Sequence, residues 1–203
     1  MADIREQTFA PHALDLRGDG LRLRLWDQGR EEDVRTWLRG RADPEFRRWN
    51  TPLIMERDLA DARESLASHL AEAADGSGMP VCVTDEATGA VLGHVGLHVT
   101  NRTLRCGRVG YWILPEARGQ GVATRALRLA TRWAFRELPL HRIELGHAVG
   151  HEASCRIAER CGYPAEGVQR DAMWQEGRHD AYRDCHLHAR LTTDPEPEPR
   201  PGR

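Results

Sequence analysis

Residues 110–123 read Gly110-Tyr111-Trp112-Ile113-Leu114-Pro115-Glu116-Ala117-Arg118-Gly119-Gln120-Gly121-Val122-Ala123, and the hydrophobic pattern changes period inside this run. Before Pro115 the chain has a strand-like pattern that predicts a strand over Leu104–Leu114. After it, Ala123, Ala126, Leu127, Ala130, Trp133 and Ala134 share one helical face, and Arg125, Arg128, Arg132 and Arg136 share the other. This spacing predicts an amphipathic helix over Val122–Glu137. Pro115 suits a point where ladder pairing stops. Two glycines at the mouth of a helix let backbone approach a ligand closely, and the unpaired N–H groups of the first turn attract an anion. Arg118–Ala123 therefore reads as a phosphate or pyrophosphate cradle, with a ligand-free glycine turn as the alternative. A dinucleotide loop would need Gly or Ala at Thr124.

Working outward, Gly18-Asp19-Gly20 is a hairpin signal between His12–Leu16 and Leu21–Asp27. Helices are expected over Arg30–Arg39, Pro44–Trp49 and Asp58–Ala74, the last capped near Asp58, and strands over Pro80–Asp85 and Ala90–Thr100. Beyond the Arg-faced helix come a strand, His141–Val149, a short helix, Ala153–Arg160, closed by Gly162, and two strands, Gly167–Trp174 and Ala181–Leu191. This order predicts an α/β (α+β) fold, with helices packed on a mixed sheet. Residues 1–20 are expected to form an N-terminal arm and hairpin, 21–193 one domain, and 194–203, where Pro alternates with charge, a disordered, solvated tail.

Composition narrows the function. The chain has 203 residues and a formal charge of −2, which fits one globular domain and argues against bulk nucleic acid as the main partner. All 29 basic side chains are Arg, so there is no lysine for a Walker phosphate loop or a Schiff base. No apolar run approaches the roughly 20 residues needed to cross a bilayer. The five cysteines, Cys82, Cys106, Cys155, Cys161 and Cys185, include no C-x-x-C pair, and no signal-like stretch is read before them. A cytoplasmic protein with reduced thiols is expected.

The run 110–123, together with His151-Glu152-Ala153-Ser154-Cys155-Arg156-Ile157-Ala158-Glu159-Arg160-Cys161-Gly162-Tyr163 about thirty residues on, resembles the GCN5-related N-acetyltransferase (GNAT) family, in particular its ribosomal-protein N-terminal acetyltransferase branch. Arg118-Gly119-Gln120-Gly121-Val122-Ala123 fits the family signature Q/R-x-x-G-x-G/A, and the element order fits over roughly residues 21–191. The resemblance implies a mostly antiparallel sheet splayed at the coenzyme A (CoA) site with helices on both faces. It also implies an acetyl-CoA-dependent N-acetyltransferase that needs no metal, whose acceptor is a protein N-terminus or a small primary amine attacking directly in a ternary complex. A catalytically degenerate acyl-CoA-binding or regulatory module is the alternative, and a homodimer is compatible with either.

The resemblance assigns pyrophosphate binding to the backbone of Arg118, Gly119, Gln120, Gly121, Val122 and Ala123, and pantetheine pairing to the backbone around Ile113 and Leu114. Ser154 would protonate the departing thiolate, and it shares a helix face with Ile157, Ala158 and Cys161 at offsets of three, four and seven. His151 stands where the family usually has Asn contacting the pantetheine. Arg108 and Met173 stand where a Glu base would be expected, which leaves Glu144, His147 and Asp171 as candidates. Phe46, Arg47 and Trp49, with Trp174, are expected to build the acceptor pocket, and Arg125 and Arg128 either assist the phosphates or face water.

Two metal-like patterns are set aside. His186 and His188 lie two apart, opposite Cys185, Leu187, Ala189 and Leu191, and read with Arg190 as the polar face of a half-buried strand. His151-Glu152-Ala153-Ser154-Cys155 begins like H-E-x-x-H but has Cys at the fifth position. No metal site is expected.

Overall fold

The computed structural model describes residues 14–52 and 54–197. The part of the expected N-terminal arm before residue 14 and the end of the tail lie outside them. The elements run β1 (Asp15–Gly18), β2 (Leu21–Leu25), α1 (Glu31–Ala42), α2 (Pro44–Asn50), α3 (Leu59–Asp75), β3 (Gly78–Asp85), β4 (Val91–Asn101) and β5 (Cys106–Ile113). After a single 3₁₀ turn (Pro115–Ala117) come α4 (Val122–Glu137), β6 (Arg142–Ala148), α5 (Glu152–Arg160), β7 (Ala165–Trp174) and β8 (Tyr182–Leu191).

Local chemistry explains the boundaries. Asp58 caps α3 by accepting from the Ala60 and Asp61 N–H groups, and Gly76 ends it in the left-handed region at φ 73°. Asp43 caps α2 by accepting from Phe46 N–H, with Pro44 at the first position, where its missing donor costs nothing.

The eight strands form one sheet in the order β1-β2-β3-β4-β5-β6-β8-β7, antiparallel except for β5 and β6. Alternation along the strands divides the interior into two cores. Val81, Val83, Val95, Val109 and Ile113 pack with Ala126, Leu127 and Ala134 of α4. On the other face, Cys82, Trp112 and Leu114 pack with Val34, Trp37, Phe46 and Leu66 of α1–α3. A mixed sheet covered on both faces was the expected fold.

Two expectations need correction. β8 does not turn His188 and Arg190 to water, because both are buried. α5 lies over this face, the His188 Nδ1 meets the Tyr163 carbonyl at 3.0 Å, and Arg190 donates to the carbonyls of Cys161 and Pro195. The start of the presumed tail is also tied down. Asp194 accepts from Leu191 N–H at 2.8 Å, Arg190 pairs with Glu196, and Arg128 donates to the Pro197 carbonyl.

Gly40 in α1 shows how tightly the second core closes around β5. A Cβ there would lie 2.4 Å from the Trp112 ring. Ala ordinarily gains about 1 kcal/mol over Gly in a helix, whereas overpacking a filled core costs about 1–3 kcal/mol, so the clash should win. Gly40→Ala is expected to lower the melting temperature, and a raised one in calorimetry would contradict this packing.

Candidate active site

Pairing between β5 and β6 covers only Cys106–Arg108 against Arg142–Glu144. β4 follows β5 to Ile113, and β8 follows β6 to Ala148, so the two central strands separate beyond Arg108 and Glu144. The Leu114 N–H donates to the Leu92 carbonyl at 2.9 Å. By alternation, Trp112 and Gly110 turn their backbone groups to β4, while Tyr111 and Ile113 turn theirs into the gap.

The gap opens onto a cleft of about 340 Å³ bounded by α2, the end of β5, the loop before α4, and α5. Gly119 and Gly121 hold the loop at φ 73° and 72°, with open space where a Cβ would be. Gly121 is the N-cap of α4, and no side chain caps that end. The first-turn N–H groups are consequently directed toward the cleft wall with the positive end of a 16-residue helix behind them. No acidic residue occupies that turn.

Among the residues expected to contact CoA, Ile113, Arg118, Gly119, Gly121, Val122, Ala123 and His151 line the cleft. Leu114 is buried in the α1–α3 core, and the Gln120 side chain donates to the Glu116 carbonyl instead. The Arg118 guanidinium braces the loop: Nε donates to the Ile113 carbonyl at 2.9 Å, and Nη2 pairs with Asp43. Arg125 donates to the Asp19 carbonyl.

Ser154 is buried and does not line the cleft, but its Oγ lies 2.7 Å from the Tyr111 Oη, which does. Burial pushes the Tyr111 phenol well above its ordinary pKa, so it stays protonated at neutral pH. His151 stacks on Trp49, ring centroids 4.4 Å apart and nearly parallel, which joins α5 to α2 across the cleft. Desolvation, with the neighbouring His147 adding to it, lowers the His151 pKa to about 4, so its imidazole is neutral at pH 7.

Of the residues expected to build an acceptor pocket, Phe46 and Trp49 line the cleft. Arg47 bonds the Arg41 carbonyl instead. Trp174 stacks on Tyr182 in the β7–β8 hairpin, outside the cleft. That hairpin reaches α2 through Arg183, whose Nη2 donates to the carbonyls of Arg48 and Trp49. None of the three candidate bases lines the cleft: Glu144 is held by Arg108 and Arg142, Asp171 is exposed on β7, and His147 faces His188.

The cleft contains groups that sequence reading did not single out. Glu45 supplies its carboxylate, with Oε1 accepting from the Trp49 indole at 2.8 Å. Arg156 and Arg160 line it from α5, and Arg160 forms no ion pair among the described residues. The spacing of Ala153, Arg156, Ile157 and Arg160, at offsets of three, four and seven, could have revealed this second helix face. Glu45 carries no such signal, because α2 meets α5 across about a hundred residues of sequence.

Comparison with known proteins gives this geometry a family. The acetyltransferase (GNAT) domain model matches residues 21–164. YdaF of Bacillus subtilis, provisionally named a ribosomal N-acetyltransferase, is 38% identical over 91 residues, 45% of this chain and 50% of YdaF. The chain spans about half the length of the curated relatives it matches. Among solved structures, RimL, a ribosomal L7/L12 α-N-protein acetyltransferase in complex with CoA, superposes with a TM-score of 0.78 at 17% identity, over 89% of this chain and 98% of RimL. Spermidine N-acetyltransferase from Vibrio cholerae, with CoA and spermine, gives 0.74 at 24%, over 87% and 98%. At these identities the two likenesses show the fold. Among the described residues, no helix is long and apolar enough to cross a membrane. With most of its length matched by the family's domain, this chain belongs to the GNAT acetyltransferase family.

Proposed function

We propose that this chain transfers an acetyl group from acetyl-CoA to a primary amine, in particular the α-amine of a protein N-terminus, in a ternary complex. The observation that carries the reading is the splayed β5–β6 gap opening onto an uncapped, glycine-fronted helix N-terminus. Acetyl-CoA supplies an activated thioester, whose carbonyl an amine attacks and whose thiolate leaves. The α4 first turn would hold the pyrophosphate, with Arg160 available for a further phosphate. The Tyr111 backbone groups and the Ile113 N–H would pair with the pantetheine amides, and an N–H there would polarise the thioester carbonyl. His151, neutral and stacked, would hold the arm against Trp49.

Tyr111 and Ser154 act as one unit in this reading. The phenol reaches the cleft, and the Ser154 hydroxyl orients it and exchanges its proton. Glu45 is the carboxylate placed to draw an ammonium group toward the cleft and to accept its proton through water. One carboxylate is a modest base, which favours α-amines: at a pKa near 8 about 10% is neutral at pH 7, against below about 0.1% for a Lys amine near 10.4. The provisional name of YdaF as a ribosomal N-acetyltransferase supports a protein acceptor.

Free-thiol release followed over an amine panel tests this. Peptides with a free α-amine should turn over, and Nα-blocked peptides carrying Lys should not. Spermidine turnover alone would move the acceptor to small polyamines. CoA binding without release from any amine would favour a degenerate acyl-CoA-binding module.

Gly121→Asp would put a carboxylate and a Cβ at the α4 N-terminus, on a left-handed backbone, where an anion is to bind. Acetyl-CoA affinity should fall at least about tenfold, or about 1.4 kcal/mol. Unchanged affinity in calorimetry on the folded variant would remove the loop from the phosphate site.

Tyr111→Phe and Ser154→Ala should each lower kcat roughly 10- to 1000-fold with acetyl-CoA binding nearly intact, because proton donation matters only as charge builds on sulfur. Acting as a unit, the two should not add: the double variant should be no slower than the worse single one. The defect should shrink as pH rises past a thiol pKa of roughly 8–9, where the thiolate leaves without a proton. Melting curves run in parallel separate this from a structural role, and a destabilised Ser154→Ala with wild-type turnover would take Ser154 out of the mechanism.

A further inference from the structure

His147, His186, His188 and Cys155 bring one ligand atom each to within 4.8 Å of all the others. Strand register makes the cluster: His147 on β6 stands opposite His186 on β8, His188 follows two residues on, and α5 lays Cys155 over the same face. His147 and His188 are buried, and Cys155 and His186 are half-buried. All four sit on helix or strand, so the positions are rigid.

The protons do not balance in this cluster. The His188 Nδ1 lies 3.0 Å from the Tyr163 carbonyl and the His147 Nδ1 lies 3.1 Å from the Ala148 carbonyl. A carbonyl only accepts, so both Nδ1 atoms carry a proton, and in the neutral imidazole the Nε2 atom is then the one that presents a lone pair. These two Nε2 atoms face each other at 3.2 Å. The Cys155 Sγ, 3.6 Å from the His188 Nε2, has one proton to offer, and it cannot serve both. A buried acceptor pair short of a donor is costly until a further proton, a water or a metal cation comes between its members.

We propose that this cluster is a zinc site, with the Nε2 atoms of His147 and His188, the Sγ of Cys155 and a ring nitrogen of His186 as ligands. Around a tetrahedral zinc with Zn–N roughly 2.0–2.1 Å and Zn–S roughly 2.3 Å, nitrogen ligands stand roughly 3.3 Å apart and nitrogen and sulfur roughly 3.6 Å apart. Two of the cluster's six edges, at 3.2 Å and 3.6 Å, match this spacing, and the others lie within 4.8 Å. Imidazole and thiolate donors select zinc over magnesium or calcium. The two Nδ1–carbonyl bonds are the outer contacts that fix the tautomer of a ligating histidine. On binding, Cys155 loses its thiol proton to solvent and coordinates as thiolate. The ion would tie α5, and with it Ser154, to β6 and β8. This assignment does not depend on the acetyl-transfer reading.

The test uses the full chain, stripped with a chelator and titrated with Zn²⁺ alone and, as a coloured probe, with Co²⁺. One ion per chain is expected, with a zinc dissociation constant of roughly 0.1 µM or tighter. The melting temperature should rise with zinc, and the cobalt form should show tetrahedral d–d bands and a sulfur-to-cobalt band. Cys155→Ser, at a half-buried position that should still fold, should abolish the sulfur band and weaken zinc at least about tenfold. His186→Gln should weaken zinc as well, without loss of the fold. Absence of stoichiometric binding to the wild-type chain would overturn the site. So would binding that Cys155→Ser leaves unchanged, which would mean that surface histidines elsewhere hold the metal.

Discussion

Backbone pairing between β5 and β6 stops at Arg108 and Glu144, and the cleft exists because it stops there. Each strand keeps its outer partner, β4 on one side and β8 on the other, so the sheet stays continuous while its centre opens. Backbone donors and acceptors left unsatisfied inside a protein are expensive, so an open gap between two central strands needs another partner. The Tyr111 backbone groups and the Ile113 N–H, its carbonyl already taken by Arg118, offer polar groups with strand spacing, which suits an extended chain carrying amides. Glycine and the uncapped α4 terminus put unpartnered N–H groups and the positive end of a helix at the mouth of the same gap. A ligand with amides in the middle and phosphates at one end meets both demands at once.

The walls of the cleft are held by contacts distant in sequence. Asp43 caps α2 and also receives Arg118, so α2 and the glycine loop before α4 share one carboxylate. Trp49 bonds Glu45 within α2 and stacks on His151 of the α5 N-terminus. Arg183 ties the carbonyl end of α2 to β8. A shift of α2 would therefore disturb the loop, the stack and the hairpin together, and the two sides of the cleft are coupled by geometry.

Most of the architecture was legible in the sequence because periodicity is strong where one face of an element is buried. The Arg-faced helix, the glycine loop and the inward turn of Ser154 follow from local spacing alone. Alternation on β8 was read correctly as a division into two faces, but it cannot say whether the polar face meets water or another element. α5 covers His188, and the segment after Leu191 helps to cover Arg190, through contacts that no local pattern encodes. Glu45 and the Tyr111–Ser154 pair were missed for the same reason: each acquires its meaning from a residue on another element. The Arg118 side chain shows the reverse case, a signature residue whose guanidinium is bound to the loop's own scaffold.

α5 concentrates these dependencies in nine residues. One face, Ala153, Arg156, Ile157 and Arg160, borders the cleft. A second, Ser154 and Ala158, turns inward and meets the Tyr111 hydroxyl. A third carries Cys155 to the histidines of β6 and β8. The helix is too short to hold its position by intrinsic propensity, since isolated helices below about 12–15 residues are marginal in water. Its register must come from what it touches, and a rotation that moved Cys155 off the histidines would also carry Ser154 away from Tyr111. Whatever fixes the cysteine face therefore fixes the hydroxyl pair at the cleft.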